Sequence, residues 1–188
     1  MQVEWHVDRI LIERARRGDR DAYEAIVVAS SDRLYAVALR TLRDADAAGE
    51  ALQAALVRIW QDLPTLRDPD RFDGWSYRVL VNCCRMQRRA SRRIEARVEQ
   101  ADSVGSVGDS QIEIAARDEL DHAFRVLPMD QRLTMVLHYY RDLSVSQIAE
   151  MLAISEGTVK SRLHAGRRAM RAVLDADARV GIGREESA

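Results

Sequence analysis

The sequence predicts an all-α protein in which two small helical domains are joined by a flexible linker. Three observations point there. Apolar residues recur at three-to-four spacing through most of the chain, as helices that bury one face require. Breakers are scarce, with 9 glycines and 3 prolines among 188 residues, and they gather at a few places instead of punctuating short strands. One stretch rich in Ser and Gly divides the chain into a longer and a shorter part.

The first part, residues 8–97, reads as helix after helix, with stop and N-cap signals at Gly18-Asp19, at Arg43-Asp44 and across Leu63 to Asp73, where Pro64 and Pro69 accumulate with aspartates. The second helix carries Tyr23, Ile26, Val27, Leu34, Tyr35, Val37, Ala38 and Leu42 on one face. The third does the same with Ala51, Leu52, Ala55, Leu56, Ile59 and Trp60. A fourth begins near Phe72 and runs into a stretch of arginines. Residues 98–111 hold Ser103, Gly105, Ser106, Gly108 and Ser110 and too little apolar surface to offset chain entropy, so a flexible linker is expected there. In the second part, residues 112–174, a helix reaches Leu127, Pro128 breaks it, and another runs from Asp130 to Tyr140 before a final pair. The tail 175–188, with Gly181 and Gly183, is expected to fray.

A formal net charge of −1 says nothing in favour of nucleic acid, but the distribution does. Arg85, Arg88, Arg89, Arg92, Arg93 and Arg97 crowd one stretch, and Lys160, Arg162, Arg167, Arg168 and Arg171 another, while acids dominate Asp44 to Glu50 and Asp118 to Asp121. The adjacent Cys83 and Cys84 point about 100° apart on a helix, so they read as inert thiols and not as a disulfide. His6, His122, His138 and His164 lie scattered, without ligand spacing, and no metal or cofactor is implied. No apolar run approaches the ~20 residues that span a bilayer, and Trp5, Asp8 and Glu13 stand where a leader would be basic and then apolar. A cytoplasmic protein without membrane insertion is expected.

The most specific signal lies between Leu143 and Leu163. Ser144 with Gln147 makes a capping box that opens one short helix, and Ser155 with Glu156 in the following first turn opens another after a three-residue turn, which makes a helix-turn-helix. Ile148, Ala149, Leu152, Ile154, Val159 and Leu163 supply the seam. With Val159, Leu163, Gly166 and Met170 inward, the period of the second helix leaves Gly157, Ser161, His164 and Arg168 outward, flanked by Lys160 and Arg171. Such a face suits a major groove, where Lys and Arg reach guanine edges, Ser and Thr serve several bases, and further arginines neutralise phosphates.

Leu127-Pro128, Asp130-Gln131-Arg132, Tyr139-Tyr140, Leu143-Ser144, Gln147-Ile148-Ala149 and the run Gly157 to Leu163 resemble region 4 of the extracytoplasmic-function sigma factors of the sigma-70 family. The resemblance implies that this domain reads the minus-35 promoter element, with Lys160, Ser161 and His164 on bases, Thr158 and Arg168 as phosphate or flanking contacts, and Ser144, Ser155 and Arg167 also among the DNA-binding residues. Three positions depart from the family. His138 and Ala165 stand where arginines are common, which thins the phosphate grip and leaves His138 as a poor, pH-sensitive substitute. Ala153 replaces the glycine of the turn, at a cost of up to about 1 kcal/mol if that position takes φ > 0.

Residues 22–89 resemble sigma region 2, most clearly at Phe72, Gly74-Trp75, Tyr77-Arg78 and Asn82 with the arginines behind them. An aromatic-bearing loop can hold an unstacked base while an arginine-studded helix tracks phosphates. The resemblance implies capture of flipped minus-10 bases by the loop Leu66 to Asp73, with Arg71, Trp75, Tyr77, Arg78, Asn82, Arg85, Arg88 and Arg89 as contacts. Trp75 and Tyr77 read equally well as core; Phe72 reads as core. Asp46 to Trp60 resembles the segment that docks on the clamp helices of core RNA polymerase, through Asp46, Glu50, Leu52, Gln53, Leu56 and Trp60. Ala48, Gly49 and Ala54 depart from that pattern; acids are usual at the last two, so steering is reduced and apolar anchors carry affinity.

The expected function is therefore promoter recognition, DNA opening and transcription initiation with core RNA polymerase. The resemblance also implies an anti-sigma partner. No nucleotide-cradling loop or nucleophile-base set is present, so no catalytic residue is named. The rival reading is a conventional helix-turn-helix regulator whose N-terminal half senses a ligand or dimerises; it requires tight specific DNA binding without polymerase.

Overall fold

The computed structural model describes residues 7–101 and 121–185, with side chains over 7–93 and 121–175. Helix is the only repetitive structure among the described residues, and two compact units form, an N-terminal one built on α1 to α4 and a C-terminal one built around α6 and α8.

In the N-terminal unit the first three helix starts are written by aspartates. Asp8 accepts from the Ile10 amide at 2.8 Å and opens α1 (Arg9–Arg16). Gly18, at φ +90°, turns the chain, and Asp19 caps α2 (Arg20–Leu42) through the Ala22 amide. Arg43 closes α2 in the left-handed region, its amide on the Leu39 carbonyl at 2.8 Å, and Asp44 caps α3 (Ala45–Asp62) through the Ala47 amide. Two 3₁₀ turns, Leu63–Thr65 and Pro69–Arg71, carry the chain into α4 (Phe72–Ala101). The breaks thus fall where Gly, Pro and Asp place them.

The core of this unit is Ile12, Ile26, Leu34, Val37, Ile59, Leu63, Phe72, Leu80 and Val81. Ala48, Ala51 and Ala55 line the buried side of α3, and small residues there let α2 approach closely. Phe72 is core, as the sequence suggests, and so is Tyr77, which removes it from the candidate DNA contacts: at this point in α4 the helical period turns residue 77 to the same side as Leu80, Val81 and Cys84. Both cysteines are buried and free, and burial raises both thiols, Cys84 to about 12.

In the C-terminal unit α5 (residues 121–125) leads to Pro128, and α6 (Met129–Met135) continues into a single π turn, Val136–Tyr140, in which the Arg141 amide reaches the Val136 carbonyl at 3.2 Å. α7 (Val145–Leu152) and α8 (Glu156–Glu185) follow. α6 packs on α8 so closely that a Cβ on Gly166 would sit 2.5 Å from Met135 Sδ, which explains a helical glycine at that point. Asp130 and Arg162 bridge the same two helices at 3.1 Å.

Two boundaries differ from expectation. α4 runs to Ala101, so Val98–Ala101 are helical; the rest of the expected linker and the helix start at residue 112 lie outside the described residues. α8 runs to Glu185 through the tail expected to fray, because Asp175 to Arg184 includes no proline to stop it and glycine merely weakens a helix already nucleated.

Candidate nucleic-acid interface

The helix-turn-helix is fixed by its caps. The Ser144 amide donates to Gln147 Oε1 at 2.8 Å while the Gln147 amide donates to Ser144 Oγ at 3.2 Å, the reciprocal box expected from the sequence. Ser155 Oγ accepts from the Thr158 amide at 3.1 Å and pairs with the Thr158 hydroxyl at 2.9 Å. Ala153, between the helices, takes φ +53°, so the missing glycine is felt. Ile148, Ala149, Leu152, Val159 and Leu163 are buried, Ile154 partly so.

On α8 the outward residues are as the period requires. Gly157, Lys160, Ser161, His164, Arg167 and Arg168 are exposed, and Thr158 is half-buried. Their chemistry is less free than their exposure. Lys160 Nζ lies 3.6 Å from the Glu156 carboxylate, and Ser161 donates to the Thr158 carbonyl at 2.9 Å, which leaves its oxygen lone pairs outward. His138 is half-buried, with Nδ1 2.9 Å from the Leu143 carbonyl and its ring edge-on to Tyr139, so it ties the π turn to the loop before α7.

In the N-terminal unit the loop ahead of α4 is held by two ion pairs. Arg33 meets Asp73 at 2.7 Å with side chains only 11% and 24% exposed, and Arg9 meets Asp70 at 3.1 Å at the surface. Trp75 is half-buried, with its ring 6.0 Å from that of Phe72 and tilted against it. Arg71, Arg78, Asn82 and Arg89 are exposed and Arg85 and Arg88 half-buried; all but Arg71, which ends the preceding 3₁₀ turn, follow one side of α4.

The third face is on α3. Asp46, Glu50 and Gln53 point outward, while Leu52, Leu56 and Trp60 are half-buried along its edge. Trp60 stacks on Tyr23 with centroids 4.8 Å apart, and Gln87 of α4 donates to Glu50. Burial pushes the Tyr23 hydroxyl up to about 12. Sequence reasoning missed Val57, which is 52% exposed between Glu50 and Gln53 on the outward face; an apolar residue four after Gln53 and seven after Glu50 was the available signal. Among the described residues no group of His, Cys, Asp and Glu fits a metal ion, and no helix is long and apolar enough to cross a membrane.

Comparison with known proteins matches both parts of the chain. Residues 26–94 match Sigma-70 region 2, and residues 117–170 match Sigma-70, region 4. The RNA polymerase sigma-E factor of Streptomyces avermitilis is 34% identical over 87% of this chain and 92% of its own length. The ECF RNA polymerase sigma factor SigW of Bacillus subtilis is 27% identical over 87% of this chain and 94% of its own. The solved structure of CnrH in complex with the cytosolic domain of CnrY superposes with a TM-score of 0.63, at 27% identity, covering 91% of this chain and 99% of that one. Matches to both regions in order disfavour the conventional regulator. The chain belongs to the sigma-70 family of RNA polymerase sigma factors, in its extracytoplasmic-function group.

Proposed function

We propose that this sigma factor divides promoter recognition between two faces of different chemistry. The α8 face, Lys160, Ser161 and His164 with Thr158, Arg167 and Arg168 beside them, reads base edges of the minus-35 element. Ser144 and Ser155 spend their hydroxyls on the caps and contribute mainly by fixing the helix ends at the backbone. The loop Leu66 to Asp73 with Trp75 takes up an unstacked minus-10 base, while Arg71, Arg78, Asn82, Arg85, Arg88 and Arg89 hold the adjoining strand and duplex edge. Base capture, with no covalent step by the protein, drives opening.

The α3 face, Asp46, Glu50, Leu52, Gln53, Leu56 and Trp60 with Val57 added, docks on core polymerase in the cytoplasm. Its anchors are apolar and its charged rim is thin, because Gly49 and Ala54 bring no acids. CnrH is solved with a partner domain, and we assign the same α3 surface to an anti-sigma partner that competes with polymerase. Residues 8–97 and 112–174 are the corresponding functional domains.

The observation that carries this reading is the recognition helix, whose start is capped, whose apolar stripe is inward and whose Lys160, Ser161, His164, Arg167 and Arg168 are exposed. Run-off transcription from a promoter-fragment library tests it, with core polymerase and this protein separately and together. Transcripts sharing a pair of upstream elements are expected only when both are present. Tight specific binding by the protein alone, without core-dependent initiation, would overturn it.

A further inference from the structure

α1 precedes the segment that matches Sigma-70 region 2, yet its first turn reaches the loop ahead of α4. Arg9 Nε donates to Glu13 Oε1 at 3.1 Å, one turn along the same helix, and Arg9 Nη1 donates to Asp70 Oδ2 at 3.1 Å, 61 residues along the chain. A guanidinium is planar and its donors point in fixed directions, so a fork held on one side by its own helix presents the other side in one place. Asp70 is thereby given a fixed partner.

The rest of the loop makes that partner matter. Both ends are fastened: Leu66 and Phe72 are buried, the Leu66 amide donates to the Leu63 carbonyl at 3.1 Å, and Asp73 meets Arg33 at 2.7 Å. The middle is held differently. Pro69 is buried, but Asp70 and Arg71 are exposed, and a cavity of about 350 Å³ lies between the turn Pro69–Arg71 and α1, lined by Val7, Ile12, Pro69 and Phe72 together with Arg9 and Asp70. Side chains that border open space lack packing partners on that side, so a polar tie across the cavity has more to do with where the turn sits than contact alone has.

We propose that Arg9 is a positioning residue for base capture. By holding Asp70 it keeps the turn Pro69–Arg71, and Arg71 with it, in the place where the loop meets an unstacked base, so that the ordering cost is met before DNA arrives. Arg9 itself needs no contact with DNA. This rests on the base-capture reading of the loop.

Two measurements on the full protein test it. Hydrogen exchange of the free protein reads the loop directly. The Asp70 and Arg71 amides donate to the Asp68 side chain and carbonyl, each at 3.1 Å, and Arg9→Gln should speed their exchange about threefold, the size expected of an exposed ion pair. The Ala22 amide, capped by Asp19 at the start of α2, should be unaffected. With core polymerase bound, fork-junction DNA carrying either a base or an abasic site at the captured position reads the consequence. Arg9→Gln should weaken binding to the base-bearing fork about threefold and leave the abasic fork at wild-type affinity. Asp70→Ala should do the same, and the double variant should be no worse than either single change, because the two residues act as one contact. Unchanged exchange, equal losses on the two forks, or a double variant whose loss is the product of the single losses overturns the positioning role. Faster exchange together with a wild-type protein that binds both forks alike would overturn base capture instead and leave Arg9 as the residue that orders the loop.

Discussion

The α4 side of the N-terminal unit and the α8 face of the C-terminal unit are both polar, helical and basic, yet they offer DNA different things. Along α4, guanidinium groups follow one another without an acid from Arg78 to Arg93. On α8, Lys160 is shared with Glu156, Ser161 is bonded to its own backbone, and alanine stands at position 165. Under the function proposed above, the first surface holds phosphates and the second makes a small number of oriented base contacts. The lesson is that basic charge locates a nucleic-acid surface, while the fixing of each polar group indicates whether the surface grips or reads.

The sharpest way to separate the units is alkaline pH. Burial holds the Cys84 thiol at about 12, so the folded unit keeps a proton that the unfolded chain gives up above about pH 9. Stability of the N-terminal unit should be full below pH 9 and drain as pH rises toward 12, by about 4 kcal/mol at most. Tyr23, also raised by burial, adds a smaller loss in the same direction above pH 10. Tryptophan emission reports this unit alone, because Trp5, Trp60 and Trp75 all lie in the N-terminal part. Thermal melts across pH 8–12 should show the fall, and Cys84→Ala should flatten it; an unchanged fall would refute the thiol as its cause.

Next in size is the ion pair that holds the base loop. Arg33→Ala leaves Asp73 largely buried without its cation and should cost about 3 kcal/mol in the N-terminal unit. Strand opening should suffer, and binding to a minus-35 duplex should not. If both activities fall together, the two units are less separable than proposed.

The grip-versus-read distinction is tested by a pair of single changes. Lys160→Gln should relax base preference in the minus-35 element by about 1–3 kcal/mol, read by binding to single-substituted duplexes. Arg89→Gln should weaken all sequences alike and lower the salt slope by about 1. The reverse pattern would exchange the roles assigned to the two helices. The smallest effect is a gain: Ala153→Gly relieves the left-handed turn and should stabilise the C-terminal unit by about 0.5–1 kcal/mol, measured by denaturant unfolding followed by circular dichroism.

Much of this was legible in the chain because it depends on near neighbours. Asp19 and Asp44, Ser144 with Gln147, and Ser155 act within three residues of their targets, and the structure gives each the hydrogen bond its spacing implies. The outward set on α8 follows from one period applied to one apolar stripe. His138 could not be read this way. Its partner, the Leu143 carbonyl, is delivered by a π turn whose extra residue in the hydrogen-bond ring shifts the register of every side chain after it. The ends of α4 and α8 were missed for a different reason: breakers and low apolar content argue against starting a helix, but propagation from a packed one needs far less.

What the sequence by itself determined is the order and type of the elements, the helix-turn-helix with its caps, and the family that the two matched regions identify, since each is encoded in spacing along the chain. Only the tertiary structure decided which of the aromatic pair is buried. Trp75 is half-buried and Tyr77 is buried beside Leu80 and Val81. Two residues separate them in the chain, about 200° around the helix, and which side becomes the core is set by the helices that pack against α4.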